Sequence, residues 1–276
     1  MDEAIDTVDY IGGRTRLFGI VGHPIEQVRS PEMFTAEFRR REYDAILVPL
    51  HVLPDDFEAV LPALMRLHNL DGLVFTIPYK VRACALAAEL GVQAQRVGAI
   101  NALARGGDGR WRGEIFDGLG CVEAFRRRGI PLSGKRIALV GAGGAGAAVG
   151  VAMAGQRPRS MRVHDIDHAR AEALAARIRS VDPAIEVTIG PPSIGEADVL
   201  LNVSPVGMLG DARLPVDADA LPPGLVVFDA VVKPDRTPLI ELATACGCQT
   251  VRGIEMMRGQ VSRMADFFLA GGEFAS

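Results

Sequence analysis

The sequence has no long apolar run, no basic leader and no strong concentration of one charge. No uninterrupted apolar stretch approaches the roughly 18 residues that suggest a membrane-spanning helix. The amino end, Met1 to Asp6, is acidic, and no basic stretch leads into an apolar run, which argues against a secretory leader. Lys and Arg cluster only in short runs such as Arg126 to Arg128, and the net charge is −4. We therefore predict that neither nucleic acid nor a membrane is the main partner.

Cysteine is also scarce, and its spacing indicates no metal or redox site. The four cysteines, at positions 84, 121, 246 and 248, show neither CxxC spacing nor a pattern of His partners. We therefore expect buried or idle thiols in a reducing cytosol, and a cytoplasmic protein without a bound metal. The chain is rich in apolar residues instead: 49% of its 276 residues are hydrophobic and 23% are charged. That composition supports a sizeable core and favours two domains over one.

Short apolar runs alternate with helical patterns in the first third of the chain. Ser30 suits the N-cap of one helix and Pro31 its first position. A second helix is predicted over Phe57–Leu67. The predicted strands are residues 17–21, 45–50 and 72–76. This alternation predicts a parallel or mainly parallel α/β sheet.

A second strand–helix pattern begins after a linker, which we predict over residues 125–129 and 133–136. It opens with a strand, a glycine-rich turn and an alanine-rich helix. The elements predicted in this part are strands at 137–140, 161–164, 199–201 and 225–228, and helices at 169–178 and 256–269.

The glycine-rich turn between the first strand and helix of this part is the strongest local motif. It reads Gly141, Ala142, Gly143, Gly144, Ala145 and Gly146. Such glycines permit a tight turn and a close approach to a pyrophosphate, and the free N–H groups of the helix N-terminus meet its charge. A packing turn rich in Gly and Ala is the alternative. The strand–turn–helix context favours dinucleotide binding.

Asp165 ends the next predicted strand, 24 residues after Gly141. An acid there accepts hydrogen bonds from the adenosine ribose of NAD and repels the 2′-phosphate of NADP. Asp165 could also cap a helix or sit in a loop, although Asp167 is available for capping. No Arg among the close neighbours of Ile166 is available to bind that 2′-phosphate. We therefore expect NAD as the cofactor.

Several segments, in sequence order, resemble motifs of the shikimate and quinate dehydrogenase family. Gly22–Pro31 resembles GNPIxHSxSP, and Gly72–Lys80 resembles GxNVTxPxK. Gly98–Ala102 resembles GAxNT, and Gly113–Gly120 resembles GxNTDxxG. Two further family segments are matched by residues 202–208 and 253–260. With the glycine-rich turn, the resemblance covers nearly the whole chain, from about residue 17 to 268.

The resemblance implies an NAD-dependent oxidoreductase for a secondary alcohol of a cyclic hydroxy acid, acting in aromatic amino acid biosynthesis. It also implies two α/β domains. Residues 1–117 and 254–276 would form a substrate domain with a mainly parallel sheet, and residues 118–253 a Rossmann domain that binds NAD. A small hydroxy acid is the expected binding partner. The resemblance leaves open whether the protein forms a homodimer.

The resemblance also assigns roles to particular residues. Lys80 and Asp117 match the catalytic pair, which would handle the hydroxyl proton, and the residue types leave open which of the two takes it. A surface Lys and a helix-capping Asp are the plain alternatives. The substrate-contact positions are Ser30, Thr76, Asn101 and Gln260, with hydroxyl and amide groups suited to a polyhydroxy acid. Ser204, Ala230 and Gly253 complete the expected cofactor site.

Five departures from the family motifs replace polar residues by apolar ones. Val28 stands where the family has the first Ser of an SxS pair, so one hydroxyl expected to hold the substrate carboxylate is missing. The others are Val74 for Asn, Ala102 for Thr, Ile115-Phe116 for Asn-Thr, and Val232 for Tyr. We therefore predict a less polar pocket and low efficiency on shikimate and quinate.

Two other functions remain open at this point. A methylenetetrahydrofolate-dehydrogenase-like enzyme has a similar layout and a catalytic Lys, but the order of motifs fits it less well. A non-catalytic, NAD-binding regulatory protein would suit the apolar pocket, whereas the intact pair Lys80 and Asp117 argues against it.

Overall fold

The computed structural model describes residues 11–217 and 220–274. The acidic amino end, on which the prediction about a leader depends, lies outside these ranges. Within them, no helix is long and apolar enough to cross a membrane. In the same part of the chain, no group of three or more His, Cys, Asp or Glu side chains is arranged to hold a metal ion.

The first half of the chain forms a six-stranded mixed sheet. Its strands are β1 (Arg16–Gly22), β2 (Ala45–His51), β3 (Leu70–Phe75), β4 (Glu89–Leu90), β5 (Ala102–Arg105) and β6 (Trp111–Glu114). They lie in the order β2-β1-β3-β5-β6-β4, and the pairs on either side of β5 are antiparallel. The turn-rich residues 106–109 therefore connect a hairpin, which the expectation of parallel strands did not include. The helices in this half of the chain are α1 (Ser30–Arg40), α2 (Phe57–Leu64) and α3 (Val92–Val97).

The second half forms a six-stranded sheet in which every pair is parallel. Its strands are β7 (Arg136–Val140), β8 (Ser160–His164), β9 (Glu186–Ile189), β10 (Val199–Asn202), β11 (Val226–Asp229) and β12 (Gln249–Arg252). The order β12-β11-β10-β7-β8-β9 is that of a Rossmann fold. Its helices are α5 (Gly144–Ala154), α6 (His168–Val181) and α7 (Pro238–Ala245). The predicted α/β class is confirmed.

Two further helices run between the sheets. They are α4 (Asp117–Arg127) and α8 (Gly253–Leu269), and they pack against each other over much of their length. Glycines make the close crossing possible: a Cβ on Gly259 would come within 2.6 Å of the Gly120 carbonyl oxygen. The far end of α8 reaches the first sheet, where the Phe268 ring lies 5.1 Å from that of Phe18. The final helix is thus anchored beside the first sheet.

Two local predictions are wrong. Ser30 is the first residue of α1 rather than its N-cap, which is Arg29, because Ser30 is buried in the wall of a cavity. Phe125 belongs to α4 rather than to a linker, since its ring is buried 6.0 Å from that of Phe228. Ion pairs from Glu123 to two arginines hold the last turn of that helix in place.

The cysteines are all free thiols. Burial raises the pKa of the Cys121 thiol well above its ordinary value, and it raises those of Cys84 and Cys248 as well. Raised pKa values leave little reactive thiolate at neutral pH.

Candidate active site

A cavity of about 180 Å³ lies between the carboxyl ends of the strands in the two sheets. Parallel α/β sheets bind ligands at this edge, because the strand–helix loops converge there. All seven residues predicted to act in catalysis or to line the substrate pocket border this cavity: Val28, Ser30, Thr76, Lys80, Asn101, Asp117 and Gln260.

Lys80 and Asp117 form an ion pair in this cavity, in which Lys80 Nζ donates to Asp117 Oδ2. Lys80 follows the turn after β3, where its carbonyl oxygen accepts from Ile100 N at 2.8 Å. Asp117 is the first residue of α4, where the helix dipole favours a carboxylate. The exposed fractions of the two side chains are 13% and 4%, so water screens their charges weakly.

Asn101 connects three parts of the site and is itself buried. Its Oδ1 accepts from Phe116 N at 3.0 Å, which fixes the backbone just before Asp117. Its Nδ2 donates to Gln260 Oε1 on α8 at 3.2 Å. The amide therefore holds α8 and the start of α4 together, and one N–H of Nδ2 remains for a bound molecule.

Ser30, Thr76 and Val28 form the wall next to β1. Ser30 is buried at the start of α1, and Thr76 is half-buried directly after β3. Thr76 packs closely on Gly22, where a Cβ would come within 2.4 Å of its Cγ2. Val28 packs against the core of the first sheet and presents an apolar surface to the cavity.

Only three of the five departures from the family motifs face the cavity. Val28, Val74 and Val232 line it. Ala102 and Phe116 are buried in the core that α8 covers, and Phe116 lies 5.6 Å from the ring of Phe267. Ile115 is buried in the hydrophobic core of the second sheet. The apolar lining that the sequence did not indicate comes from β1, α1 and α8, through Ile20, Phe34, Met256, Met257 and Met264.

The glycine-rich turn has the geometry that a dinucleotide requires. Gly141 has φ of 99°, and a Cβ there would come within 2.7 Å of Ser204 N. A Cβ on Gly146 would come within 1.9 Å of the Gly141 carbonyl oxygen, so this position admits glycine alone. Gly143 is the N-cap of α5, and nothing lies within 4 Å of where its Cβ would be. The open helix N-terminus fits a pyrophosphate.

Other predicted cofactor positions continue from this turn into the cavity. Ala145, Ser204, Ala230 and Gly253 line it. Gly144 lies against Lys80, and Ala142 donates its backbone N–H to Asp165. The turn, the ends of β10 and β11, and the start of α8 therefore form one continuous surface next to the ion pair.

Asp165 lies beside the glycine-rich turn, just beyond the end of β8. Its Oδ2 accepts from Ala142 N at 2.6 Å and its Oδ1 accepts from Asp167 N at 2.8 Å. Asp167 is the N-cap of α6 and accepts from the backbone N–H groups of Ala169 and Arg170. The capping role that was an alternative for Asp165 thus belongs to Asp167.

Two polar side chains, one buried next to the cavity and one lining it, were not found from the sequence. Asp229, at the end of β11, accepts from Thr237 Oγ1 at 2.6 Å, Val231 N at 3.0 Å and Asn202 Nδ2 at 3.1 Å. Burial raises the pKa of its carboxyl to about 6 in spite of these bonds. Gln27 lines the cavity, and its Oε1 is buried without a partner. Gln27 lies where the family motif has His, the only sequence signal that could have marked it.

Comparison with known proteins agrees with this geometry. Residues 20–103 match the family model for the shikimate dehydrogenase substrate binding domain. A shikimate dehydrogenase (NADP(+)) of Rubrobacter xylanophilus is 35% identical over 255 residues, which are 91% of this chain and 89% of the relative. Another enzyme of this name, from Rhodospirillum rubrum, is 35% identical over 91% of this chain and 90% of its own length.

Solved structures give the same result. Shikimate 5-dehydrogenase from Listeria monocytogenes, in complex with shikimate and NAD, superposes with a TM-score of 0.82 at 27% identity, covering 95% of this chain and 94% of its own. Quinate dehydrogenase from Corynebacterium glutamicum, in complex with NAD, gives a TM-score of 0.77 at 28% identity, with 93% and 99% covered. Fold, site and sequence agree, and the chain belongs to the shikimate dehydrogenase family of nicotinamide-dinucleotide-dependent oxidoreductases.

Proposed function

We propose that the protein is an NAD-dependent enzyme that reversibly oxidises a secondary alcohol of a cyclic hydroxy acid. The observation that carries this proposal is the buried Lys80–Asp117 ion pair, which lies in the cavity against the glycine-rich turn. A non-catalytic dinucleotide-binding protein would have no need of a desolvated charge pair there, since burying charges costs free energy. The comparisons also favour this family over a methylenetetrahydrofolate-dehydrogenase-like enzyme.

Oxidation of an alcohol requires that the hydroxyl lose its proton. The Lys80–Asp117 pair borders the cavity, and its hydrogen bond offers a path for that proton from the substrate oxygen. Bound NAD supplies the acceptor for the hydride. The site residues would bind the acid, orient the reacting hydroxyl toward the pair and keep water out. In the ion pair the Lys80 ammonium has no free lone pair, so the substrate proton would end on the Asp117 carboxylate, either directly or by a relay in which Lys80 gives one of its protons to Asp117 as it receives that of the substrate.

Substrate positioning would fall to the polar groups around the pair. Ser30 would donate to the carboxylate, while Thr76, Gln260 and the remaining N–H of Asn101 would contact ring hydroxyls. The valine at position 28 offers no hydroxyl, and the methionines of α8 add apolar surface. We propose that a less polar ring than that of shikimate or quinate fits best, and that both acids are turned over with low efficiency.

The preference for NAD would come from Asp165. Its carboxylate is held over the glycine-rich turn by Ala142 N, and a 2′-phosphate there would meet this negative charge. Arg170, the first Arg of α6, is paired with Asp167. The relatives cited above carry NADP(+) in their names, so the proposal depends on these residues of the chain itself.

We further propose that separate parts of the chain bind the substrate and the dinucleotide. Residues 1–117 and 254–276 would bind the substrate, and residues 118–253 would bind the dinucleotide. The contacts of α8 support this arrangement, because α8 carries Gln260 to the cavity and ends against the first sheet. Asp117 would stand at the boundary, at the first residue of α4.

The test is dinucleotide reduction over a panel of cyclic hydroxy acids, including shikimate and quinate, with NAD and NADP. The variant Lys80→Met should lose activity at least 100-fold on every acid that the wild type oxidises. Lys135→Met is a matched control, since Lys135 lies outside the cavity, and it should keep full activity. Failure of every acid with both dinucleotides would contradict an enzymatic function of this type and favour the regulatory one.

A further inference from the structure

Gln27 has an unpaired acceptor in the wall of the active-site cavity. The residue borders the cavity next to Val28, and only 9% of its surface is exposed. Its Nε2 donates to the Pro24 carbonyl oxygen at 2.8 Å, while its Oε1 is buried without a hydrogen-bond partner. Over residues 11–217 and 220–274, Arg105 Nε is the only other buried side-chain atom in this condition.

The orientation of the Gln27 amide follows from its neighbour. A flip would turn the amide oxygen toward the Pro24 carbonyl oxygen and would remove the one hydrogen bond that the side chain makes. The oxygen therefore points away from Pro24 and needs a donor. A buried acceptor without a donor costs free energy, which a bound molecule recovers if it brings an O–H group.

We propose that Gln27 selects the substrate by accepting a hydrogen bond from a substrate hydroxyl next to the carboxylate. This inference rests on the proposed function, in which Ser30 donates to the carboxylate at this end of the cavity. An amide oxygen cannot bond to a carboxylate, which has no proton to give, but it bonds well to a hydroxyl on the carbon beside it. Since Oε1 is buried, the Gln27 side chain must rotate slightly toward the cavity to make this hydrogen bond.

The chemical class that fits is an α-hydroxy acid. Quinate has a hydroxyl on the carbon that bears its carboxylate, whereas shikimate has a double bond at that carbon and no hydroxyl there. Val28 favours the same class. Its side chain has no hydroxyl, so Ser30 is the hydroxyl that would donate to the carboxylate, and the carboxylate has no second hydroxyl partner. The SxS pair of the family motif offers two hydroxyl donors, whereas this site offers one donor, Ser30, and one acceptor, Gln27.

The experiment compares quinate with shikimate in the full-length protein. Gln27→Met keeps the length of the side chain and removes the acceptor. We expect the ratio of kcat/KM for quinate to that for shikimate to fall about 10-fold, mainly through KM for quinate, which is the effect of one lost hydrogen bond. KM for shikimate should change less than about twofold. Gln249→Met, on the exposed edge of β12, is the matched control and should leave the ratio unchanged.

Calorimetric titration of the NADH-bound wild type with each acid gives a second measurement without turnover, because NADH cannot accept a hydride. We expect tighter binding of quinate than of shikimate, and loss of that difference in Gln27→Met. If either acid is oxidised but the ratio is the same in wild type and Gln27→Met, the role of Gln27 is refuted while the proposed function stands. Equal affinity of the wild type for the two acids refutes it as well, whatever the turnover assay shows.

Discussion

Gly144 lies directly against the side chain of Lys80: a Cβ on this glycine would come within 3.0 Å of Lys80 Cβ. Gly144 belongs to the glycine-rich turn of the second sheet, whereas Lys80 follows β3 of the first. The turn that would hold the dinucleotide and the lysine that would handle the proton are thus in contact without room for a side chain between them. Their spacing depends on the absence of one methyl group.

This contact predicts that Gly144→Ala lowers turnover more than stability. The new methyl group would move Lys80 by a few tenths of an ångström, and proton transfer is sensitive to such displacements. We expect kcat to fall about 10-fold while the midpoint of thermal unfolding changes little. Gly195→Ala is a suitable control, since nothing lies within 4 Å of its Cβ position. An unchanged kcat in Gly144→Ala would show that the spacing does not limit the reaction.

The second prediction concerns the choice of dinucleotide. Asp165→Asn keeps an oxygen that can accept from Ala142 N and removes the negative charge. The ratio of the dissociation constants for NADP and NAD should therefore fall about 10-fold or more, and Asp165→Ala should lower it in the same direction. Asp167→Asn serves as the control, because Asn also caps helices and this residue faces α6. Tighter binding of NADP than of NAD by the wild type would contradict the prediction.

The sequence was sufficient to predict that the residues of the local motifs lie close together. Lys80, Asp117 and the glycine-rich turn follow from motif order and from a strand–turn–helix pattern, and the structure brings them to one cavity. Motif position could not tell which departures face that cavity. Phe116 is adjacent to Asp117, yet its ring packs on Phe267 of α8, more than 100 positions away in the chain.

The three-dimensional arrangement of the chain also determines the features that the sequence did not reveal. The unpaired oxygen of Gln27 depends on where the Pro24 carbonyl group points, and the raised pKa of Asp229 depends on burial at the end of β11. Neither property is encoded in residue type or spacing. By contrast, the alternation of short strands and helices was enough to predict the α/β class, because it reports local periodicity.

The third prediction tests the loss of a hydroxyl at position 28. Val28→Ser should raise kcat/KM for shikimate about 10- to 100-fold, because a hydroxyl bonded to a carboxylate contributes about 1.5–3 kcal/mol. Val92→Ser, at an exposed position on α3, is the control and should not change the activity. Steady-state kinetics with shikimate measure the effect. Wild-type activity of about 10⁴ M⁻¹s⁻¹ or more would contradict the prediction, since Ser30 would then hold the carboxylate without help.

The fourth prediction concerns the dependence of stability on pH. Burial raises the pKa of Asp229 from 3.8 to about 6, so the folded protein holds this proton more tightly than the unfolded chain. The stabilising contribution of the protonated carboxyl is complete below about pH 4 and is lost as the pH rises to about 6. Asp229→Asn cannot ionise, so it lacks this loss, and its oxygen can still accept from Val231 N and Asn202 Nδ2.

The free energy of unfolding of Asp229→Asn relative to the wild type should therefore rise between pH 4 and pH 6 and stay level above that. A shift of about two pKa units corresponds to a rise of the order of 3 kcal/mol. Urea unfolding of both proteins at several pH values measures this difference, in which the titration of all other groups cancels. The absolute offset between the two proteins also includes the altered bond to Thr237, so the slope with pH is the decisive quantity. A difference that does not vary with pH would mean that the Asp229 carboxyl titrates alike in the folded and unfolded chains.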